Sequence, residues 1–405
     1  MLKLPVYLDY NATTPCDPRV VTTMLPYFTE IFGNAASRSH AFGWAAEEAI
    51  THAREQVAAL IGAETKEIIF TSGATEAINL AIKGVYETYT TKGNHLITVA
   101  TEHKAVLDTC KHLEKQGAQV TYLPTDPEGF IDLAQLEAAI TPQTILITVM
   151  YANNETGLIQ PVKQISDIAR RHGVLFMTDA SQAAGKIPVD VNADGIDLLA
   201  FSSHKMYGPK GVGALYVRRK SPRVKITAQL DGGGHENGMR SGTLNVSGIA
   251  GFGMACELCR TEMPAEAARL AGLRDRLEQA LLQLEATAVN GSTAHRLPHV
   301  SNLSFKYVES ESLLMGFHKS IAVSSGSACT SASMAPSHVL KAMGLSDELA
   351  HASIRFGLGR FTTEAEIDYA ITTITAAILQ HRAVSPLWEM YKAGVDLDAI
   401  PRNRH

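Results

Sequence analysis

The sequence predicts an α/β fold built on a mostly parallel sheet. Three observations carry this: helical and strand patterns alternate from about residue 45, several strands are continuous apolar runs, and each strand ends in a polar loop. Apolar residues at helical spacing over 45–61 (AAEEAITHAREQVAALI) predict a helix that Gly62 stops. A short strand at 68–70, a helix over 74–82, a strand at 96–100 and a helix over 105–116 follow. The run 145–151 (ILITVMY) predicts a buried strand, 162–172 a helix, and 174–178, 198–202 and 212–217 further strands. Past residue 262 the texture changes. A long amphipathic helix is expected over 265–284, shorter apolar segments after it, and a final helix over 364–382. We therefore expect a large domain over 15–262, and a smaller α+β domain made of 1–14 and 263–405.

Composition narrows the function. The chain has 405 residues, 45% hydrophobic and 19% charged, which is globular and not disordered. Its formal charge of −5 argues against a broadly basic nucleic-acid binder. No apolar run approaches the roughly 18 residues needed to span a bilayer, and the first residues carry no secretory apolar core. The five cysteines, Cys16, Cys110, Cys256, Cys259 and Cys329, are too sparse and odd in number for a disulfide framework. A reducing, cytoplasmic location is expected. Cys256 and Cys259 lie in a helical pattern with no second pair to complete a zinc site, so they read as core or helix-face residues.

The strand ends carry the chemistry. The loops begin at Thr71 (TSGATE), Thr101 (TEHK), Ala152 (ANNETG), Asp179 (DASQ) and Ser202 (SSHK). In open α/β sheets ligands bind at the carboxyl edge, so these loops are expected to converge on one pocket. Lys205 follows an apolar strand in a Gly-Pro loop and reads either as an ordinary surface-loop lysine or as a partly desolvated one, whose neutral amine can attack carbonyls. Asp179 ends an apolar strand and needs a cationic or hydrogen-bonding partner; a protonated pyridine nitrogen is one, a helix cap another. Gln182 is placed to donate to a ring oxygen. The 71–76 loop opens a helix and could hold a phosphate, although taken alone it reads better as simple capping by Thr71 or Ser72 with Glu76 in the first turn. Amine, acid and phosphate cup together make a site for pyridoxal 5'-phosphate. His103 could stack on its ring or be structural.

Cys329 sits in 324–333 (SSGSACTSAS), a run of small, mostly hydroxylated residues without apolar periodicity. Buried structural cysteines normally have apolar neighbours, so this reads either as a thiol on a flexible, exposed loop, about 324–335, able to act as a nucleophile, or as a packed loop cysteine. Arg355 lies in an apolar run and needs an anion: a substrate carboxylate or a structural ion pair.

These motifs, in this order and over essentially the whole chain, resemble the Isc/Nif type of cysteine desulfurase in the class-V aminotransferase family. The ordered set also includes 7–15 (YLDYNATTP), 240–243 (RSGT) and 385–391 (SPLWEMY). The resemblance implies a fold-type I PLP-dependent transferase with a mostly parallel seven-stranded sheet and a smaller α+β domain. It implies that Lys205 carries the cofactor as a Schiff base and moves the α-proton. Asp179 pairs the ring nitrogen, Gln182 the ring oxygen, and His103 stacks on the ring. Ala74, Thr75, Ser202 and His204 hold the cofactor's phosphate end, and Thr243 reaches it from the other subunit of a homodimer. Asn154 contacts cofactor and substrate, and with Arg355 holds the substrate carboxylate. Cys329 takes the sulfur of L-cysteine, leaving L-alanine and a persulfide. The sulfur then serves iron–sulfur cluster assembly and other thio-cofactor or tRNA thiolation pathways. No resident metal is implied, although Cys329 transiently ligates a cluster with a partner. The segment about 383–405 resembles the docking site for the cluster scaffold; the plainer reading is that Trp388 caps the small domain. The alternatives are a selenocysteine lyase or an aminotransferase of the same fold, or a scaffold protein that has lost the chemistry. A nicotinamide enzyme lacks its Gly-x-Gly-x-x-Gly signature here.

Overall fold

The computed structural model describes residues 2–308, 310–325 and 335–395. Its centre is a seven-stranded sheet. The strands are β1 (Ile68–Thr71), β2 (His95–Val99), β3 (Gln119–Leu123), β4 (Thr144–Thr148), β5 (Leu175–Asp179), β6 (Leu198–Ser202) and β7 (Gly213–Val217). Their order is β1-β7-β6-β5-β4-β2-β3. All neighbours are parallel except β7, which runs antiparallel to β1 and β6. Alternate residues of each strand feed two cores. Leu199 and Phe201 join Phe252 and Val57 on one face, while Leu198 and Ala200 join Ile78 and Val106 on the other. With both faces covered, the strands read as unbroken apolar runs. Strand β3 escapes the periodicity because its edge of the sheet is polar and only partly covered.

A four-stranded antiparallel sheet stands apart from this one. It contains β8 (Thr287–Val289), β9 (Val300–Phe305), β10 (Ser324–Ser325) and β11 (Ser353–Gly357), in the order β10-β11-β9-β8. The N-terminal strand Val6–Tyr7 pairs with Ile321–Ala322, and Val6 and Leu8 pack with Leu277, Phe305 and Phe356. The start of the chain therefore belongs to the core built by its end.

Two helices differ from expectation. The helix expected to begin at 265 begins at Val246 and runs to Leu281, straight through Pro264. Both halves are anchored. Gly253 lies so close to the helix Ala41–Leu60 that an added Cβ would come within 2.6 Å of Ala53 Cα, while Leu270, Leu273 and Leu277 sit in the C-terminal core. Tertiary packing outweighs the one donor that proline removes. Nor is the helix Glu364–Ala383 the final one: a short helix, Pro386–Lys392, follows it. Ser385 caps this helix by accepting from the Trp388 N–H, and Pro386 stands where the helix needs no N–H. Among the described residues no helix is long and apolar enough to cross a membrane.

Candidate active site

The five strand-end loops converge, as expected, on one cleft of about 650 Å³ at the carboxyl edge of the large sheet. A 3-10 turn over Ser203–Lys205 follows β6 and brings Lys205 to the cleft wall. Its ammonium donates to the carbonyls of Asn11 at 2.6 Å and Ala12 at 2.7 Å. His204 Nδ1 lies 3.0 Å from Thr13 Oγ1. Desolvation first, then the charges of Lys205 and Lys210, push its pKa down to about 4, so the ring is neutral near pH 7.

Asp179 closes β5 and is buried. Its Oδ1 accepts from the Ser181 N–H at 2.9 Å and hydroxyl at 2.6 Å, which leaves Oδ2 for another donor. Gln182 donates to the Asn11 carbonyl at 3.0 Å. His103 caps the helix Lys104–Glu114, its Nδ1 accepting from the Ala105 N–H at 3.1 Å. That assigns the ring proton to Nε2. Loss of water lowers the pKa of His103, and Lys205 and His338 push the same way against Asp179. Glu102 beside it is fully buried and accepts from the Met150 N–H at 2.5 Å, which steadies the next loop.

That loop carries Asn154. The side chain of Asn153 organises it, its Oδ1 accepting from the N–H groups of Glu155 at 2.8 Å and Thr156 at 3.0 Å. Arg355, on β11, donates to the Asn154 carbonyl at 3.0 Å, Asp9 Oδ1 at 2.8 Å and Ser324 Oγ at 3.0 Å. Its ion pair with Asp9 thus coexists with a place on the cleft wall.

At the other end, Ala74 opens the helix Ala74–Tyr89 behind Gly73, which makes no side-chain cap. The capping expected of Thr71 or Ser72 is absent. Thr71 Oγ1 bonds back to the Gly73 carbonyl at 2.9 Å, and the Ser72 N–H donates to Glu76 at 2.7 Å. The N–H groups of the helix's first turn remain available, the arrangement that binds anions. Gly213 makes this possible: a Cβ there would stand 2.8 Å from Gly73 Cα, so only glycine lets the turn rest on β7. Ser202 and Thr75 line the same end.

Thr243 is exposed and does not line this cleft. Cys329 lies outside the described residues, as do 326–334 of the loop expected to carry it and 396–405 of the C-terminal segment. Cys256 and Cys259 are buried on the long helix, against Met206. Asn11, Thr13 and Asp9 bring the N-terminal segment into the site, a role the sequence alone does not assign them. Their signal was the polar run after Tyr7.

The class-V aminotransferase profile matches residues 6–370. The chain belongs to that family. The chain is 60% identical over 400 residues to cysteine desulfurase IscS of Anaeromyxobacter dehalogenans (strain 2CP-C), with 98% of each chain covered. It is 57% identical over 406 residues to cysteine desulfurase IscS of Photorhabdus laumondii subsp. laumondii, with 100% of each covered. A solved structure described as a NifS-like protein matches it with a TM-score of 0.87 and 38% identity, covering 93% of this chain and 100% of that one.

Proposed function

We propose that the chain is a pyridoxal-phosphate-dependent cysteine desulfurase of the Isc/Nif type, converting L-cysteine to L-alanine and leaving the sulfur as a persulfide on Cys329. One observation carries this reading. An amine, a carboxylate, a carboxamide, an imidazole and a buried guanidinium face a single cleft, in a chain 60% identical to a protein named cysteine desulfurase.

Pyridoxal phosphate fits that cleft. The uncapped helix start beside Ser202 suits its phosphate, Asp179 Oδ2 suits a ring N–H, and Asn154 Oδ1 is a buried acceptor without a partner. When bound, the cofactor supplies an electron sink for the substrate's α-carbon. The chain's own residues do the rest. Lys205 would hold the cofactor through its amine and would move the proton at the substrate's α-carbon. Asp179 would pair with the ring nitrogen; Gln182 and His103 would fix the ring. Ala74, Thr75, Ser202 and His204 hold the phosphate end. Arg355 and Asn154 orient the substrate carboxylate. Neutral His204 donates a hydrogen bond without adding a second charge. The Cys329 thiolate attacks the substrate sulfur: an S–S bond forms, the Cβ–S bond breaks, and protonation of the carbon gives alanine. No external oxidant is needed.

Thr243 serves the phosphate of a second copy. The exposed aromatic rings of Phe28, Phe32, Phe42 and Trp44 support such a homodimer. Segment 383–405 docks an iron–sulfur scaffold, with which Cys329 transiently shares a cluster; Leu387, Met390 and Tyr391 keep apolar surface open there. The free thiols of Cys16, Cys110, Cys256 and Cys259 support a cytoplasmic site of action. The two-domain division at 262/263, with 1–14 joining the second unit, is supported by the separate cores.

Peptide mass spectrometry after incubation with L-cysteine tests the reading. We expect the peptide holding Cys329 to gain the mass of one sulfur atom, and alanine to appear. Cys329→Ser should abolish both. Undiminished alanine release by that variant would favour a lyase of the same fold instead.

A further inference from the structure

Tyr207 lies two residues past Lys205 and is fully buried. Its backbone sits at φ +66°, a left-handed conformation that non-glycine residues avoid unless their surroundings hold them there. The surroundings do so from every side. The ring has the Lys186 ammonium 3.9 Å and the Arg360 guanidinium 4.2 Å from its centroid. Its hydroxyl donates to Glu266 Oε1 at 2.9 Å and accepts from the Arg360 N–H at 2.7 Å. Its own N–H donates to Thr14 Oγ1 at 2.8 Å, and its carbonyl accepts from the Asp17 N–H at 2.9 Å.

The charges around it are connected, and the set runs on through Asp17 and Arg360 to Arg19 and Glu262. Arg360 pairs with Glu266 at 2.8 Å and with Asp17 at 2.8 Å, and Lys186 stands 3.9 Å from Glu266. These groups come from four separate parts of the chain. Lys186 follows the loop that carries Asp179 and Gln182. Asp17 follows the segment that receives the Lys205 ammonium. Glu266 lies on the Val246–Leu281 helix, and Arg360 follows β11 with its Arg355. Lys186 makes no hydrogen bond, and burial lowers its pKa to about 8 against the charge of Glu266.

We propose that Tyr207 is a positioning residue for Lys205. Clamped between Lys186 and Arg360 and tied to Glu266, it fixes the strained turn from which the Lys205 amine is presented. This rests on the reading of the cleft given above. The two cations hold the ring from its π system, the hydroxyl sets its depth, and the backbone bonds to Thr14 and Asp17 pass the constraint to the segment whose carbonyls receive Lys205.

The test compares wild type, Tyr207→Phe and Lys205→Ala, each prepared without cofactor and then mixed with pyridoxal phosphate. Tyr207→Phe keeps the ring between its cations and loses only the hydroxyl, so it should fold. Three quantities are read: the melting temperature of the cofactor-free protein, the rate at which borohydride-trappable cofactor accumulates on Lys205, and the pH midpoint of the visible absorbance of the linked cofactor. We expect capture by Tyr207→Phe to slow about tenfold or more and its absorbance midpoint to shift, with a melting temperature close to wild type. Tyr207→Leu, which also removes the ring, should slow capture further. Capture and midpoint equal to wild type, with or without a lowered melting temperature, would overturn the proposal by making Tyr207 a structural residue alone. Trappable cofactor on Lys205→Ala equal to that on wild type would instead sink the reading of the cleft, and this inference with it.

Discussion

The Lys205 ammonium donates to the main-chain carbonyl of Asn11 at 2.6 Å, across 194 positions of sequence. The same carbonyl accepts from Gln182, and the Asn11 side chain reaches the Asn154 carbonyl at 3.3 Å and Gln182 Oε1 at 3.4 Å. One residue near the N-terminus thus ties together three of the loops that form the cleft. Its own place is set by β11: the Tyr10 N–H donates to the Gly357 carbonyl at 3.1 Å, and the Gly357 N–H to the Leu8 carbonyl at 2.8 Å.

Gly357→Ala tests that arrangement. A Cβ at 357 would stand 2.2 Å from Asn11 Oδ1 and 2.9 Å from Asn11 N, and the two backbone bonds prevent a simple retreat. Overpacking of this kind costs about 1–3 kcal/mol. We expect that loss in urea unfolding, together with slower capture of pyridoxal phosphate by Lys205. Unchanged capture would mean that Asn11 does not position the amine.

Arg355→Lys should weaken substrate binding more than it slows turnover. The guanidinium holds Asp9, Ser324 and the Asn154 carbonyl from one planar fork. A lysine carries the charge but not that geometry. The expected rise in KM for L-cysteine is about tenfold, or about 1.4 kcal/mol, with kcat reduced much less. Steady-state kinetics read both. An equal fall in kcat at constant KM would place Arg355 outside substrate binding.

Much of this site was legible in the sequence, because apolar strands and the polar loops at their ends are local features. Lys205, Asp179 and His103 each stand within a few residues of the strand that places them. The contribution of Asn11, Thr13 and Asp9 was not legible, because it depends on pairing of Val6–Tyr7 with Ile321–Ala322, more than three hundred positions away. Helix continuity through Pro264 was hidden for a similar reason: local propensity reads a proline as a stop, and only the packing on either side overrides it. Strand β3 carries Gln119, Thr121 and Tyr122 because its edge of the sheet is only partly covered, whereas β1 at the opposite edge is buried throughout and largely apolar. The cap at Gly73 differs again. Thr71 and Ser72 are good capping residues by type, but the backbone turns so that neither caps.

Trp388→Ala separates two roles of the C-terminal helix. The ring stacks with Tyr391 at 5.3 Å and covers the buried Arg382 guanidinium at 4.5 Å. Removing it should cost about 1–3 kcal/mol of stability through lost packing and cation–π contact. Leu387→Ser, at an exposed position, should leave stability within about 0.5 kcal/mol and weaken association with an iron–sulfur scaffold protein. Calorimetry reads both effects. Scaffold affinity unchanged in both variants would reduce the segment to a structural cap.

His204 gives the stability a defined pH dependence. Its pKa falls from the ordinary 6.5 to about 4 in the folded chain, first by desolvation and then through Lys205 and Lys210. Between those values the unfolded chain holds a proton on this ring that the folded chain does not. Stability is therefore intact above pH 6.5 and is lost progressively as the pH falls toward 4. His299 is buried and shifted in the same direction, so wild type alone cannot isolate the effect. The comparison with His204→Gln can, since His299 is common to both. Wild type should lose more melting temperature than the variant as pH is lowered from about 7 to about 5. Lys205→Met should narrow the difference, because one of the charges opposing protonation of His204 is gone. Parallel melting curves for wild type and His204→Gln across that window would show that the ring is protonated as readily in the folded chain as in the unfolded one, and would remove the basis for a neutral donor at the phosphate end of the cleft.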